Sequence, residues 1–362
     1  MARRVTDIAS DIIEVRHTES AGRGVFALRD IPGNTEIYAT RPGTINLIYR
    51  NFRREVCNDC FAYDSGRTWK LSTIDSGVSL AWFCSMECRE AWEARHDAVA
   101  RKAWLVVEMH IQKARKLNDD ADSAPEAQAL QQPTVDNCDV AWSEASQLAD
   151  RITTARKEQP TSKASTRILN SVKAKPIDTD HLCFLLSAIL TAYSRPDIWE
   201  LVEQLEQVDT PYHTLHHLAS HITSFHILLA LLPLELIPQT NVRVLRTVAA
   251  ADVHNSFGVW SGTAGIASSA GEMLGYGVWP DASMFNHSCK PNIADRTRRG
   301  RCWIFRTSCD VRRDEELTIS YLSREELREL DVVERRACLN KAWGFLCACV
   351  RCLEENVEHS IR

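Results

Sequence analysis

The spacing of the cysteine residues constrains this fold more than any other feature of the sequence. Cys57 and Cys60 form one close pair, and Cys84 and Cys88 form a second pair after residues 61–83. Two close thiol pairs at such a spacing are typical of a tetrahedral structural zinc site. So short a segment has little hydrophobic core of its own. We therefore expect a zinc ion on these four thiolates to hold the segment folded.

A second cysteine group lies near the C-terminus, in the stretch GFLCACVRC. Cys347, Cys349 and Cys352 provide three thiolates, one fewer than a closed structural zinc site uses. The candidate for the fourth ligand is Cys289, in the loop FNHSCKPNI at residues 285–293. The sequence thus predicts two zinc ions, the second of which ties the C-terminal segment to that loop. The other cysteines are interpreted as small apolar residues: Cys138, Cys183, Cys302, Cys309 and Cys338.

The bulk composition excludes several classes of protein. The chain has 362 residues, of which 44% are hydrophobic and 25% charged, as in an ordinary globular protein. A net charge of −5 argues against a general nucleic-acid binder, which would carry a basic excess. The first residues lack the apolar core of a signal sequence, and the most apolar run, 225–237, is too short to span a bilayer. We expect a soluble monomer of the nucleus or cytoplasm that binds neither membranes nor nucleic acid.

Hydrophobic periodicity divides the chain into strand-rich and helical parts. Residues 12–48 and the sequence after Val242 have the alternation and the turn residues of short strands. The polar stretch 116–175 is predicted to consist of loops or disordered chain around one amphipathic helix. Helices are predicted at 140–155, 179–193, 197–208 and 214–232, and again from Ser323 onwards.

A stripe of histidines is the feature that most favours a different metal chemistry. His213, His217 and His221 recur at every fourth position of a predicted helix, with His216 and His226 nearby. Such a stripe can bind a metal ion and would support a metallohydrolase. It lacks the glutamate of an HExxH arrangement, and no carboxylate follows at a useful spacing. A polar helix face is therefore the favoured interpretation.

Four motifs occur in a fixed order along the chain: GRGVFA at 22–27, FNHSCKPN at 285–292, ELTISYL at 316–322 and GFLCACVRC at 344–352. Together they resemble the SET-domain protein lysine methyltransferases. With a cysteine module inserted after the first strands, the chain is similar to the SET-and-MYND (SMYD) family and its fungal relatives. The resemblance covers nearly the whole chain except the polar stretch 116–175.

The resemblance implies an α+β fold with a SET-type β fold and a pseudoknot, an inserted MYND-like zinc module, a helical insertion and a cysteine-rich post-SET segment. It implies five parts: 1–50, the first part of the SET domain; 51–100, the zinc module; 101–239, the helical insertion with its polar linker; 240–322, the second part of the SET domain; and 323–362, the post-SET zinc segment.

The resemblance also implies S-adenosylmethionine as the cofactor and a protein or peptide lysine, possibly in a histone, as the substrate. Tyr321 corresponds to the catalytic tyrosine at the point of methyl transfer, and Phe345 to an aromatic residue beside the adenine. The residues implied to bind the cofactor are Arg23, Gly24, Val25, His221, Asn255, Asn286, His287, Tyr321 and Phe345.

The cysteine module departs from a full MYND module, which binds two zinc ions through interleaved ligands. Residues 61–83 contain neither cysteine nor histidine, and His96 has no cysteine partner at the usual position. We therefore expect the second zinc ion of a MYND module to be lost. The binding of proline-rich peptides, which is common among MYND modules, has no support here.

Two classes of function compete with a methyltransferase. One is a scaffold that keeps the SET fold and the zinc sites but transfers no methyl group, and the other is the metallohydrolase based on the histidine stripe. Intact Tyr321, Asn286 and His287 favour the enzyme. The substrate protein and the number of methyl groups added do not follow from the sequence.

Overall fold

The computed structural model describes residues 10–18, 22–42, 45–115, 130–157, 162–262, 271–293 and 295–361. The chain divides into two compact units: residues 1–43 with 253–362, here called the strand-rich unit, and residues 44–252, the helical unit. The predicted zinc module and the whole of the predicted helical insertion thus fall in one unit, and the finer five-part division stays a prediction. In the described part of the chain, no helix is long and apolar enough to cross a membrane.

The described strands are β1 (Ile13–Thr18), β2 (Gly22–Ala27), β3 (Glu36–Ala39), β4 (Ile45–Ile48), β5 (Leu71–Asp75), β6 (Val78–Phe83), β7 (Ser256–Trp260), β8 (Met273–Val278), β9 (Asp295–Arg299), β10 (Cys302–Arg306) and β11 (Glu316–Leu317). The described helices are α1 (Met86–Arg95), α2 (Ala98–Arg115), α3 (Val135–Lys157), α4 (Lys163–Lys173), α5 (Thr179–Ser194), α6 (Pro196–Glu203), α7 (Leu215–Leu231), α8 (Val242–Asn255), α9 (Arg324–Glu329), α10 (Val332–Trp343) and α11 (Val350–Ile361).

The strand-rich unit is built from small antiparallel sheets. β2 lies between β1 and β11, and β10 lies between β3 and β9, while β7 and β8 form a further antiparallel pair. The alternation of β2 places Val25 and Ala27 in the core, both at 0% exposure, because successive strand residues point to opposite faces. The predicted α+β fold is confirmed.

The helical unit combines the first cysteine module with a bundle of helices. In the module, the hairpin β5–β6 precedes α1, whose first turn is capped by the Ser85 side chain. In the bundle, the Asp178 carboxylate accepts hydrogen bonds from the first backbone N–H groups of α5, and Thr214 caps α7 in the same way. Such caps satisfy donors that a helix leaves unpaired at its start. α3, α5, α6 and α7 confirm the helices predicted there.

Two segments differ from the prediction. The polar stretch contains α4, which begins at the cap residue Ser162 and buries Ser165 and Val172 seven residues apart. One side of a short helix can thus be covered although its composition is polar. The strands expected directly after Val242 are replaced by α8, because its alanine-rich sequence favours a helix and its apolar residues recur at helical spacing. Residues 116–129 of the polar stretch lie outside the described residues.

Candidate functional site

The loop FNHSCKPNI lies beside the ELTISYL segment in the strand-rich unit. Ile319 N donates to Asn286 O at 2.9 Å, and Ser288 N donates to Ile319 O at 2.8 Å, which makes a parallel bridge between the two segments. Further along, Asn292 Oδ1 accepts from Thr318 N at 2.8 Å. Buried polar groups require partners, and here the polar loop satisfies them by joining two segments that are distant in sequence.

Asn286 connects this loop to the GRG turn of β2. Its Nδ2 donates to Arg23 O at 2.9 Å and to Glu316 Oε1 at 2.8 Å. A Cβ atom at Gly24 would lie 2.3 Å from Glu316 Oε1 and 3.0 Å from Asn286 Nδ2, so any other residue would require the Glu316 carboxylate to move away from this position. Val25 is fully buried and contributes to the sheet core. Glu316 was missed by the sequence analysis, because a carboxylate at the start of a strand carries no distinctive signal.

His287 bridges the ELTISYL segment and the C-terminal cysteines. Its Nδ1 accepts from Tyr321 N at 3.0 Å, so its Nε2 carries the proton and donates to Cys289 Sγ at 3.3 Å. Burial lowers the pKa of His287 to about 4, because desolvation disfavours the charged ring. The neutral imidazole is therefore the form that holds Tyr321 and the cysteine together.

Tyr321 lies within a group of aromatic rings. Its hydroxyl donates to Phe285 O at 3.2 Å, and its ring centre is 5.3 Å from those of both His287 and Trp343. The Phe345 ring lies edge-on to that of Tyr321, with their centres 6.3 Å apart, and its centre is 6.0 Å from that of His287. The structure thus brings together Asn286, His287, Tyr321 and Phe345, four of the residues that the resemblance implies for the site.

Beside Tyr321 is a cavity of about 220 Å³ in the strand-rich unit. Its walls are mostly aromatic: His254, Ser256, Phe257, Gly258, Trp260, Ser283, Phe285, Arg296, Trp303, Tyr321 and Trp343. Nearly all of these residues were not predicted from the sequence. They come from separate segments, and no motif or spacing links them.

Two predicted cofactor ligands have different surroundings. Asn255 ends α8 and is buried, and its carbonyl accepts from the hydroxyl of Ser283, a residue of the cavity wall, at 3.3 Å. His221 lies in the helical unit, 1% exposed, with its Nδ1 3.1 Å from His181 Nε2 and its ring 5.4 Å from that of Tyr212. Burial lowers the pKa of His221 well below its usual value. Its role toward a cofactor stays a prediction.

The four cysteines predicted to form the first metal site converge. We call Cys57, Cys60, Cys84 and Cys88 the N-terminal quartet, and their sulfur atoms lie within 4.8 Å of one another. Cys60 Sγ is 3.5 Å from Cys84 Sγ, which is 3.6 Å from Cys88 Sγ. Four sulfur atoms placed tetrahedrally at about 2.3 Å from zinc would be about 3.8 Å apart. The quartet therefore fits a tetrahedral metal ion.

The other four predicted cysteines also converge. Cys289, Cys347, Cys349 and Cys352, the C-terminal quartet, have their sulfur atoms within 4.8 Å of one another. Cys289 Sγ is 4.0 Å from Cys347 Sγ and 3.5 Å from Cys352 Sγ, and Cys289 N donates to Cys349 Sγ at 3.4 Å. The predicted fourth ligand, from the loop, is thus in place beside the C-terminal trio.

Arginines surround the C-terminal quartet. Arg335 is 0% exposed, donates to Glu355 Oε2 at 2.5 Å and lies 3.9 Å from Cys352 Sγ. Arg336 donates to the carbonyl of Cys347 at 2.8 Å, and Arg351 donates to the carbonyl of Cys289 at 3.3 Å. Four thiolates on a divalent ion carry a net charge of about −2, and these cations offset it.

Histidines do not join a metal site in the described part of the chain, where the two quartets are the groups with converging ligand atoms. The stripe of His213, His217 and His221 forms no such group. His96 stacks on Trp92 at 4.0 Å and hydrogen-bonds its carbonyl at 2.8 Å, outside the N-terminal quartet. These positions favour a polar and packing role over metal binding.

Comparison with known proteins agrees with this geometry. The family model described as SET domain matches residues 22–322. A potential protein lysine methyltransferase of Saccharomyces cerevisiae, SET6, is 26% identical over 96% of this chain and 96% of its own. The histone-lysine N-methyltransferase SMYD3 of Mus musculus is 34% identical over 24% of this chain and 19% of its own length. The histone-lysine N-methyltransferase SET5 of Eremothecium gossypii is 38% identical over 20% of this chain and 14% of its own length.

Proposed function

Because the chain belongs to the SET-domain family, we propose that it is a protein-lysine N-methyltransferase that uses S-adenosylmethionine. The observation that carries this proposal is the convergence of Asn286, His287 and Tyr321 next to an aromatic cavity. The substrate is a lysine of a protein or peptide, with histones among the candidates. We further propose that the protein acts as a monomer in the nucleus or cytoplasm.

The residues around Asn286 fit the amino-acid part of this cofactor. Arg23 O and Glu316 Oε1 engage the Nδ2 of Asn286, which leaves its Oδ1 as an acceptor for an ammonium group. Glu316 adds a carboxylate that favours a cationic ligand. Arg23, Gly24, Asn286 and His287 would hold S-adenosylmethionine together with Asn255, and Phe345 offers a ring for the adenine.

S-adenosylmethionine supplies a methyl group activated by a sulfonium. The protein's own contribution is to bring a lysine amine to it in the uncharged form, because the nitrogen lone pair forms the new bond. Phe257, Trp303 and Trp343 give the cavity apolar walls, and desolvation against such walls would disfavour the charged ammonium. Catalysis then consists mainly of alignment and desolvation.

Tyr321 is the residue that would align the amine. Its hydroxyl is held by Phe285 O at 3.2 Å, and its backbone N–H is held by His287. Its ring forms part of the cavity wall. A phenol that is fixed in this way can accept a hydrogen bond from an amine without reorganising, which is the condition for efficient electrostatic catalysis.

Zinc is the metal that we propose for both quartets. Four thiolates in a tetrahedron are typical of structural zinc, which leaves no open coordination position. The metal ions would therefore hold the zinc module and the C-terminal segment folded, and would take no part in methyl transfer.

The test is methylation of a whole-cell lysate by the purified chain with methyl-labelled S-adenosylmethionine, followed by mass spectrometry of the modified lysines. Tyr321→Phe should lower turnover by about 10² or more with little change in cofactor affinity. Tyr193→Phe is the matched control, because it also removes one phenolic hydrogen bond, to Asp97 in the helical unit. If the natural chain binds the cofactor but modifies no lysine, the scaffold alternative is correct. Equal turnover of the natural chain and Tyr321→Phe would remove Tyr321 from the mechanism.

A further inference from the structure

The cavity beside Tyr321 contains a cation in its wall. Arg296 of β9 is one of its lining residues, and the described lining residues include no aspartate or glutamate. The guanidinium carbon of Arg296 lies 6.0 Å from the centre of the Phe257 ring. This is the distance at which a cation interacts with an aromatic face. Arg296 thus takes a position that a methylated ammonium would otherwise use.

Arg296, which is half-buried, differs from two arginines that are paired with carboxylates. Arg50 and Arg335 are each paired with a carboxylate, Glu108 and Glu355 respectively. Within the described residues, the Arg296 side chain has no such ion pair. Burial lowers the pKa of Arg296 to about 10, an effect partly opposed by Tyr321. Even so, the guanidinium stays charged at neutral pH, and none of the described residues that line the cavity carries a negative charge to match it.

We infer that Arg296 acts as a charge filter in this cavity, admitting a neutral amine and rejecting a side chain that carries a fixed positive charge. This inference rests on the proposed function for its substrate, a lysine side chain. The aromatic walls alone would attract a methylated ammonium. Two like charges confined in one partly desolvated cavity repel each other, and we expect an effect of about tenfold or more on affinity.

The filter has a consequence for the product. Mono- and dimethyl-lysine form as ammonium ions but can release a proton to water and become neutral amines. A third methyl group leaves a quaternary nitrogen that has no proton to lose. Its charge would remain beside Arg296, so the filter favours mono- and dimethyl-lysine over trimethyl-lysine.

The filter can be tested without knowing the substrate, by using two small probes of similar size. Tetramethylammonium carries a permanent charge, whereas tert-butanol is neutral. Binding of each to the full chain can be followed by tryptophan fluorescence, because Trp260, Trp303 and Trp343 line the cavity. Arg296→Met removes the charge and keeps a long side chain, and Arg296→Lys keeps the charge. Arg299→Met, on the same strand but exposed, is the control. Circular dichroism would verify that each variant is folded.

We expect tetramethylammonium to bind Arg296→Met at least about tenfold more tightly than it binds the natural chain, Arg296→Lys or Arg299→Met. Tert-butanol should bind all four proteins alike. Equal tetramethylammonium affinity in the natural chain and Arg296→Met would overturn the filter, and so would its failure to bind either protein. Acetate that binds the natural chain but not Arg296→Met would instead show that Arg296 receives an acidic group.

Methylation assays then separate this inference from the proposed function. In an active enzyme, Arg296→Met should raise the fraction of trimethyl-lysine. The pH at which activity reaches half of its maximum should also be higher for this variant than for the natural chain, because without the nearby positive charge the substrate amine would lose its proton less readily. If no variant methylates lysine while the probes behave as expected, the proposed function fails and the charge filter stands.

Discussion

The two cysteine quartets have the same ligands but different places in the chain. The N-terminal quartet is local, because all its cysteines lie in residues 57–88 around one hairpin and the helix α1. The C-terminal quartet joins Cys289 of the loop FNHSCKPNI to cysteines about sixty residues further on, and His287 links it directly to Tyr321. A metal ion in the first would stabilise its own module. A metal ion in the second would also hold residues of the candidate site in position.

The two quartets also differ in the residues that surround them. The N-terminal quartet packs on a small apolar core that includes Phe83 and Trp92. The C-terminal quartet lies among Arg335, Arg336 and Arg351. Its negative charge is thus compensated by cations on the same C-terminal segment. This arrangement allows it to be buried beside the site without drawing the neutral His287 toward protonation.

Cys289→Ser should have the largest effect, because it removes the ligand that joins the loop to the C-terminus. We expect zinc content to fall from two ions to one per chain and S-adenosylmethionine affinity to fall about tenfold or more, since Phe345 would have to be ordered at binding. Metal analysis and calorimetry measure both quantities. One lost zinc ion with unchanged affinity would break the proposed coupling between quartet and site.

Cys57→Ser is the matched change in the other quartet. It should also remove one zinc ion, but S-adenosylmethionine affinity should stay within about twofold, because most predicted cofactor ligands lie in the strand-rich unit. The damage should reach beyond the module, since Trp104 and Leu105 of α2 pack on its core. Hydrogen exchange should therefore accelerate in β5, β6 and α2. A loss of cofactor affinity equal to that of Cys289→Ser would remove the contrast.

Much of this contrast could be predicted from the sequence. Both quartets follow from cysteine spacing and from the single cysteine in the loop FNHSCKPNI. The meeting of that loop with Tyr321 could be predicted only from the family resemblance, because no local pattern specifies a contact between segments so far apart.

The cavity wall was not predictable. Arg296, Trp303 and Trp343 come from two strands and a helix, each with an ordinary local pattern, and only tertiary packing makes them neighbours. The helices α4 and α8 were missed for a related reason. The polar composition of α4 indicated a loop, and the strand-like sequence after α8 suggested that strands begin earlier. In both helices the helical spacing of the apolar residues becomes clear only when the packed face is known.

Arg335→Met tests the electrostatic side of the comparison and should have an intermediate effect. The change removes a buried cation together with its ion pair to Glu355, and it should lower the free energy of unfolding by about 1–3 kcal/mol. Zinc should also be lost faster to a chelator. Arg89→Met, which breaks the surface pair with Glu93 near the N-terminal quartet, should change stability by less than about 0.5 kcal/mol. Similar effects of the two changes would show that the cations around the C-terminal quartet do not stabilise it.

The smallest effect concerns acid and the helical unit. His181 Nε2 lies 3.1 Å from His221 Nδ1. Burial is the main reason that the pKa of His181 falls from 6.5 to about 4. His217 adds to this decrease, and Asp178 opposes it. Between these two values the unfolded chain binds the proton more readily than the folded one. Stability is therefore complete above pH 6.5 and falls as the pH decreases toward 4.

His181→Phe keeps a ring in this position and removes its titration. We expect the urea midpoint of the natural chain to fall more between pH 7.5 and 5.5 than that of the variant, because the variant's unfolded state binds about one proton fewer. Zinc release contributes to acid sensitivity in both proteins and cancels in the difference between them. The remaining difference thus reports on the histidine pair, a source of pH dependence in the helical unit that is separate from both quartets. Identical pH dependence in the two proteins would mean that His181 is not buried in its neutral form, and acid sensitivity would then follow the metal sites alone.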